Sequence, residues 1–435
     1  MADETTNGIE TRSVHAGHDP DDTTGSRAPP IYQTTSYVFE DAEDAAEQFA
    51  LEKPGYIYSR LGNPTVEALQ NRLASLEGGV GAVATNSGMA GLDVITFLLA
   101  EAGDNVVAAS ALYGGTYTYL THSIQRRGIE SRFVDTLDVD AYAEAIDEDT
   151  AYVLIETIGN PALVTPDIEQ IADIAHEHDT PLVVDNTFAT PYLTNPIEHG
   201  ADLVWHSTTK WLHGAGSTVG GAIVDGGSFP WADHAEKYPE IGGENPAYHG
   251  VNFAERFGDQ AFTYAAIARG LRDLGNQQSP FDAWVTLQKL ESFPLRMARH
   301  CENAAVVAEY LADHSAVEWV NYPGLESHET HENADRYLDG GYGGIITFGL
   351  EGGYEVAKQT VNGTELASLL ANVGDAKTLI IHPASTTHQQ LSEEELLAAG
   401  VTEDLIRLSV GIEDPEDIIA DLDQAIESAV EEPDT

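Results

Sequence analysis

One lysine stands out by the company it keeps. In Asp202-Leu203-Val204-Trp205-His206-Ser207-Thr208-Thr209-Lys210-Trp211-Leu212 an apolar run of strand length gives way to hydroxyl residues and then to Lys210. Six lysines occur in all (Lys53, Lys210, Lys237, Lys289, Lys358, Lys377), and Lys210 alone joins a strand end to aromatic and aliphatic neighbours. An amine so placed is partly desolvated, which lowers its pKa and leaves it nucleophilic enough to form an imine with a carbonyl compound. Ser207 and Thr209 offer two hydroxyls on the same turn, which suits a phosphate. The plainer alternative is a lysine whose stem snorkels out of a core strand.

A lysine imine beside a phosphate cup is what pyridoxal phosphate (PLP) requires, and other residues supply the rest of such a site. Ser87-Gly88-Met89-Ala90-Gly91 precedes an apolar helix. Its backbone N–H groups would face an anion, although Ser-Gly also opens many helices as an ordinary cap. Asp185 ends the run Leu182-Val183-Val184, where a carboxylate can pair with a protonated pyridine nitrogen and keep the ring an electron sink, or simply cap the next helix. Tyr113, followed by Gly114-Gly115, can lie flat on a ring or serve as a core aromatic. Arg407 sits inside the apolar run Ile406 to Val410. It needs a partner there, either a substrate α-carboxylate held bidentately or an internal acid.

These groups must be held by something, and the pattern predicts an α/β fold with a mostly parallel sheet. Strand-like runs at 105–109, 151–156, 181–185, 202–206 and 219–224 alternate with helical patterns such as 168–178. Such alternation implies a sheet covered on both faces with ligands at the carboxyl ends of its strands. The lysine, Asp185 and a polar cluster after Glu156 all fall at such ends. Before this region, residues 1–60 read as an extended arm with little periodicity, and a helix is expected from Pro64 to Gly78-Gly79. The large domain is predicted over 61–280. A smaller C-terminal α/β domain is predicted over 281–435, with a long helix at 281–314, shorter strands at 317–322, 344–350, 378–382 and 406–410, and a closing helix from Pro415.

Composition narrows the function classes. The 435 residues carry 72 acidic and 20 basic side chains, a formal net charge of −52, with the acids spread rather than blocked. Nucleic acid and anionic membranes are therefore excluded as partners. A surplus of acid with few lysines fits a surface built for high salt, where screening removes self-repulsion, so a halophilic source is expected. A single cysteine, Cys301, leaves no internal disulfide and suits a reducing cytoplasm. The acidic start lacks an apolar signal and no apolar run approaches ~20 residues, which predicts a cytoplasmic protein. His176-x-His178 and His328-x-x-His331 lack zinc spacing and read as surface residues rather than metal ligands. There is no phosphate-binding G-x-x-x-x-G-K-[ST] loop, and Gly214-x-Gly216 lacks the third glycine of a dinucleotide loop.

Taken together these strings resemble, over nearly the whole chain, the Cys/Met metabolism family of PLP enzymes, the cystathionine γ-synthase-like branch of fold type I. The resemblance implies that Lys210 is the Schiff-base lysine and proton shuttle. It further implies that Ser87, Gly88, Met89, Ser207 and Thr209 bind phosphate, that Asp185 pairs with the pyridine nitrogen, and that Tyr113 stacks on the ring. By the same resemblance Asn160 contacts the ring hydroxyl, while Arg407 with Ser385 holds the substrate carboxylate. Tyr56-Ile57-Tyr58-Ser59-Arg60 is similar to the motif whose Tyr and Arg, here Tyr58 and Arg60, reach the neighbouring subunit's phosphate. That implies a dimer with shared active sites, paired into a homotetramer. Ala215 departs from the His or Gln often found after Gly214 and puts the loop below the lysine in doubt. Within the family, Phe229 to Gly250, Phe257 to Phe262, Asn372 to Thr378 and His382 to Gln390 resemble the O-acetylhomoserine sulfhydrylases. The activity implied is γ-replacement of O-acetyl-L-homoserine by sulfide or a thiol such as methanethiol. The alternative is a γ- or β-lyase or a cystathionine γ-synthase.

Overall fold

The computed structural model describes residues 7–21, 23–387 and 400–431. Its larger sheet has seven strands: β1 (Gly81–Thr85), β2 (Asn105–Ala109), β3 (Glu130–Val134), β4 (Thr150–Glu156), β5 (Leu182–Asp185), β6 (Leu203–His206) and β7 (Gly221–Asp225), in the order β1-β7-β6-β5-β4-β2-β3. From β6 to β3 every pairing is parallel, while β7 runs antiparallel to both β1 and β6. The central strands are apolar at nearly every position and buried throughout, as expected where helices cover both faces. The helix Pro64–Glu77 begins where the Asn63 side chain accepts the Thr65 N–H and ends at Gly78, whose φ of 77° suits a residue without Cβ.

A second sheet follows, built from β8 (Val317–Asn321), β9 (Ile345–Leu350), β10 (Ser368–Leu369), β11 (Leu379–Ile381) and β12 (Leu405–Ser409), ordered β10-β11-β12-β9-β8. Only β10 and β11 pair in parallel. Helices Gly353–Gly363 and Pro415–Glu431 pack together over this sheet. The helix Phe293–Asp313 links the two cores: Phe293, Met297 and Cys301 belong to the core of the larger sheet, and Ala304, Val307, Ala308 and Leu311 to that of the smaller. Among the described residues no helix is long and apolar enough to cross a membrane.

Three expectations need correction. The helix foreseen over 281–314 is two helices, Pro280–Leu290 and Phe293–Asp313. Pro294 has no N–H to bond back into a preceding turn, so it sits in the opening turn of the second helix. The N-terminal arm is not wholly extended, for it contains helices Ile9–His15 and Ala42–Phe49, the latter capped by the Asp41 carboxylate. His328 is not a surface residue but 8% exposed. Its Nδ1 accepts the Thr330 N–H at 3.2 Å, and burial depresses its pKa to about 4, which keeps the imidazole neutral.

Candidate active site

Parallel neighbours β4, β5 and β6 end at Glu156, Asp185 and His206, in a register that pairs Glu156 with Asp185 and Asp185 with Trp205. The turn after β6 brings the Lys210 N–H to Ser207 O at 3.3 Å. Lys210 Nζ donates to Asn372 Oδ1 at 2.6 Å. Burial, with Arg407 adding like charge, lowers the amine's pKa to about 8. The segment carrying Asn372 lies hard against this turn because Gly374, at φ +74°, has no Cβ; one built there would stand 2.7 Å from Trp211 N. Gly374 N–H is held by Ser409 Oγ at 2.9 Å, which ties the segment to β12.

Ser207 meets the N-terminus of the helix Gly88–Leu99. A Cβ at Gly88 would fall 3.0 Å from Ser207 Cβ, and Trp205 Nε1 donates to Gly88 O at 2.6 Å. Ser87 caps this helix by accepting the Ala90 N–H at 3.1 Å. The N–H groups of its opening turn, Met89 among them, have no intrahelical acceptor and suit an anion. The Thr209 hydroxyl is engaged with the Gly220 backbone, accepting its N–H at 3.0 Å and donating to its carbonyl at 3.2 Å.

Asp185 Oδ1 accepts both the Thr187 N–H at 2.9 Å and the Thr187 hydroxyl, and that hydroxyl in turn accepts the Ser207 N–H at 2.9 Å. Burial raises the Asp185 pKa, against the pull of the Thr187 bonds and of His206. Glu156 accepts the backbone N–H of Tyr113 at 2.6 Å and of Asn160 at 3.1 Å. Burial and the neighbouring Asp185 charge push its pKa well up. Tyr113 itself is 48% exposed, available to a ring. Asn160 Oδ1 accepts from Arg407 Nη1 at 3.2 Å, and burial lowers the Arg407 pKa to about 10. Among the described residues no acid pairs with Arg407, which removes the internal ion pair as its explanation there.

Three of the predicted residues are engaged with other partners. Ser385 lies on the turn after β11, its hydroxyl 2.9 Å from His382 Nδ1 rather than on Arg407. Tyr58 and Arg60 stay with the arm: Tyr58 bridges Ser36, the Arg60 guanidinium lies 5.2 Å from the Tyr58 ring, and Arg60 Nε is buried without a hydrogen-bond partner among the described residues. Sequence reasoning passed over Asn372, Thr187 and the double acceptor role of Glu156. Only Asn372 left a trace, as the first residue of a segment resembling one subfamily.

The donor set suits PLP: a half-buried amine of depressed pKa, an Asp185 carboxylate whose Oδ2 accepts no hydrogen bond among the described residues, and a helix N-terminus beside a serine hydroxyl. Residues 10–427 match the Cys/Met metabolism PLP-dependent enzyme family. The chain is 51% identical to the homocysteine synthase of Schizosaccharomyces pombe, over 97% of this chain and 98% of that protein. It is 49% identical to the O-acetyl-L-homoserine sulfhydrylase of Leptospira meyeri, over 96% of each. A crystal structure of a candidate O-acetylhomoserine (thiol)-lyase from Campylobacter jejuni, carrying N'-pyridoxyl-lysine-5'-monophosphate, superposes with a TM-score of 0.93 at 41% identity, over 97% of this chain and all of that one. The two-sheet architecture is that of PLP-dependent fold type I. The chain belongs to the Cys/Met metabolism PLP-dependent enzymes.

Proposed function

We propose that the protein catalyses γ-replacement on O-acetyl-L-homoserine, with sulfide displacing acetate to give L-homocysteine, or methanethiol giving methionine. The observation that carries this reading is the near-full-length identity of about half the residues to relatives named for that reaction. PLP, when bound, supplies an electron sink that makes the substrate's Cα and Cβ protons acidic.

The chain's own residues do the rest. Lys210 takes the Cα proton and returns it, since an amine of pKa about 8 accepts and releases protons near neutrality. Arg407, positioned by Asn160, clamps the α-carboxylate, with Ser385 as a second donor. Tyr113 packs on the cofactor ring and donates a proton to the leaving acetate. Asp185 pairs with the ring nitrogen, Asn160 also serves the ring hydroxyl, and Ser87, Gly88, Met89, Ser207 and Thr209 hold the phosphate.

The reading extends to assembly and setting. The arm 1–60 carries Tyr58 and Arg60 to a neighbouring subunit's phosphate, an arrangement supported by the unpartnered Arg60 Nε. Residues 61–280 act as the cofactor domain and 281–435 as the smaller domain of a dimer-based homotetramer. The charge of −52 supports a cytoplasm of high salt.

The test is to incubate PLP-loaded enzyme at molar salt with O-acetyl-L-homoserine, with and without sulfide, and to quantify homocysteine and 2-oxobutyrate. Homocysteine that forms only with sulfide, and outpaces keto acid, is expected. Keto acid released equally fast in both tubes would mean a lyase.

A further inference from the structure

The helix Pro64–Glu77 ends in a carboxylate with no exposure to solvent. Both the helix C-terminus and the burial disfavour its charge, so it needs donors. Three reach it: His206 Nε2 at 2.5 Å and Asn186 Nδ2 at 2.9 Å on Oε1, and Asn195 Nδ2 at 3.2 Å on Oε2. His206 is equally buried, and it is the one ion-pair partner of Glu77 among the described residues. Asn186 directly follows Asp185, and its own N–H is held by Trp205 O at 2.9 Å. Two sets of bonds thus converge on the end of β5: Thr187, itself held by the Ser207 N–H, on the Asp185 carboxylate, and Glu77, itself bonded to His206, on the Asn186 side chain after it. The titratable groups facing Asp185 are Glu156 from β4 and His206 from β6; those facing His206 are Glu77 and Asp185.

We propose that Glu77 and His206 are positioning residues for Asp185: their buried hydrogen-bonded pair holds Asn186 and so fixes the end of β5 with the Asp185 carboxylate aligned toward the cofactor's ring nitrogen. This rests on the assignment of Asp185 to that nitrogen made above. Without the pair Asn186 loses its buried acceptor and Asp185 turns from the nitrogen, and a carboxylate that loses a cationic partner gives up its proton at higher pH.

The test uses PLP-loaded His206→Leu, which removes the donor to Glu77, and Glu77→Leu, which removes the acceptor shared by His206 and Asn186. Each is expected to lower kcat about tenfold with KM within about twofold, and to move the acid limb of kcat to higher pH by about one unit, so that the loss shrinks as pH rises. PLP affinity, read from its violet absorbance, should weaken below that limb. An acid limb and affinity matching wild type, with only Tm lowered, would overturn the proposal and leave the pair as a helix anchor. If neither variant folds, Asn195→Ala removes one donor to Glu77 from a half-buried position. It should show a smaller shift of the same sign, and an unmoved limb there overturns the proposal equally. Asp185→Ala separates the two levels. If it binds PLP and turns over like wild type, the assignment of Asp185 falls; if it is impaired while both leucine variants behave as wild type, only the present inference falls.

Discussion

Lys210 Nζ and Asn372 Oδ1 stand 2.6 Å apart although the lysine follows the last parallel strand of one sheet and the asparagine belongs to the segment joining β10 to β11 in the other. The amine is therefore aimed by a residue from outside its own sheet. Asn372→Ala should leave PLP binding intact and lower kcat by about tenfold, the order expected for loosening a reacting group. Lys210→Ala should abolish turnover. Steady-state homocysteine formation measures both; an unchanged kcat in Asn372→Ala would mean that the tether is not used.

The lowered pKa of Lys210 predicts the pH dependence of cofactor uptake. Only the neutral amine attacks an aldehyde, and its fraction grows about tenfold per pH unit below a pKa of about 8 and levels off above it. Stopped-flow absorbance of apoenzyme mixed with PLP should show a rate that climbs from pH 6 to 8 and flattens by about pH 9. A rate independent of pH across that range would contradict the assignment.

Arg407→Lys preserves the charge and loses the planar fork. We expect the KM for O-acetyl-L-homoserine to rise by about tenfold or more, with the KM for sulfide little changed. Equal KM values for the amino-acid substrate would remove Arg407 as the carboxylate clamp.

Gly374→Ala combines a left-handed φ of +74° with a Cβ placed 2.7 Å from Trp211 N. A cost on the order of 1–3 kcal/mol is expected, seen as a Tm several degrees lower, with kcat falling as well because Asn372 is two residues away. Calorimetry on the loaded enzyme is the check, and an unchanged Tm would show that the turn relaxes freely.

A net charge of −52 predicts that Tm climbs as salt is raised from dilute buffer to the molar range, where the Debye length shrinks to about 3 Å. A Tm indifferent to salt would remove self-repulsion as a determinant of stability.

Contiguous strings made part of this legible. The run into Lys210, the strand ending at Asp185 and the Ser87-Gly88 helix start are each short, and strand-helix alternation alone places them at one sheet edge. Strand β3 escaped notice because it is an edge strand carrying Glu130 and Arg132, with mostly half-exposed positions and no apolar run. Strand β1, Gly81-Ala82-Val83-Ala84-Thr85, is short and made mostly of small residues. The two arm helices are seven and eight residues long and largely polar, so neither leaves a lasting period. Glu77 carries no local signal and Asn372 only its place in a segment resembling one subfamily, since what defines each is a partner more than a hundred residues distant. The segment 382–390 falls partly outside the described residues, which end at 387 before resuming at 400.

The antiparallel insertion of β7 between β1 and β6 has a consequence for how the protein comes to exist in the first place. Among the described residues strand β1 has no other neighbour in the sheet, so the strand leading into the Gly88 helix cannot pair until the chain has been made as far as Asp225. The Gly88–Ser207 contact spans a comparable stretch of chain. Such long-range closures carry their entropic cost before any contact rewards them. A nascent chain emerging from the ribosome therefore holds the parts of an anion cradle without the cradle, and it acquires affinity for a phosphate only late in its synthesis.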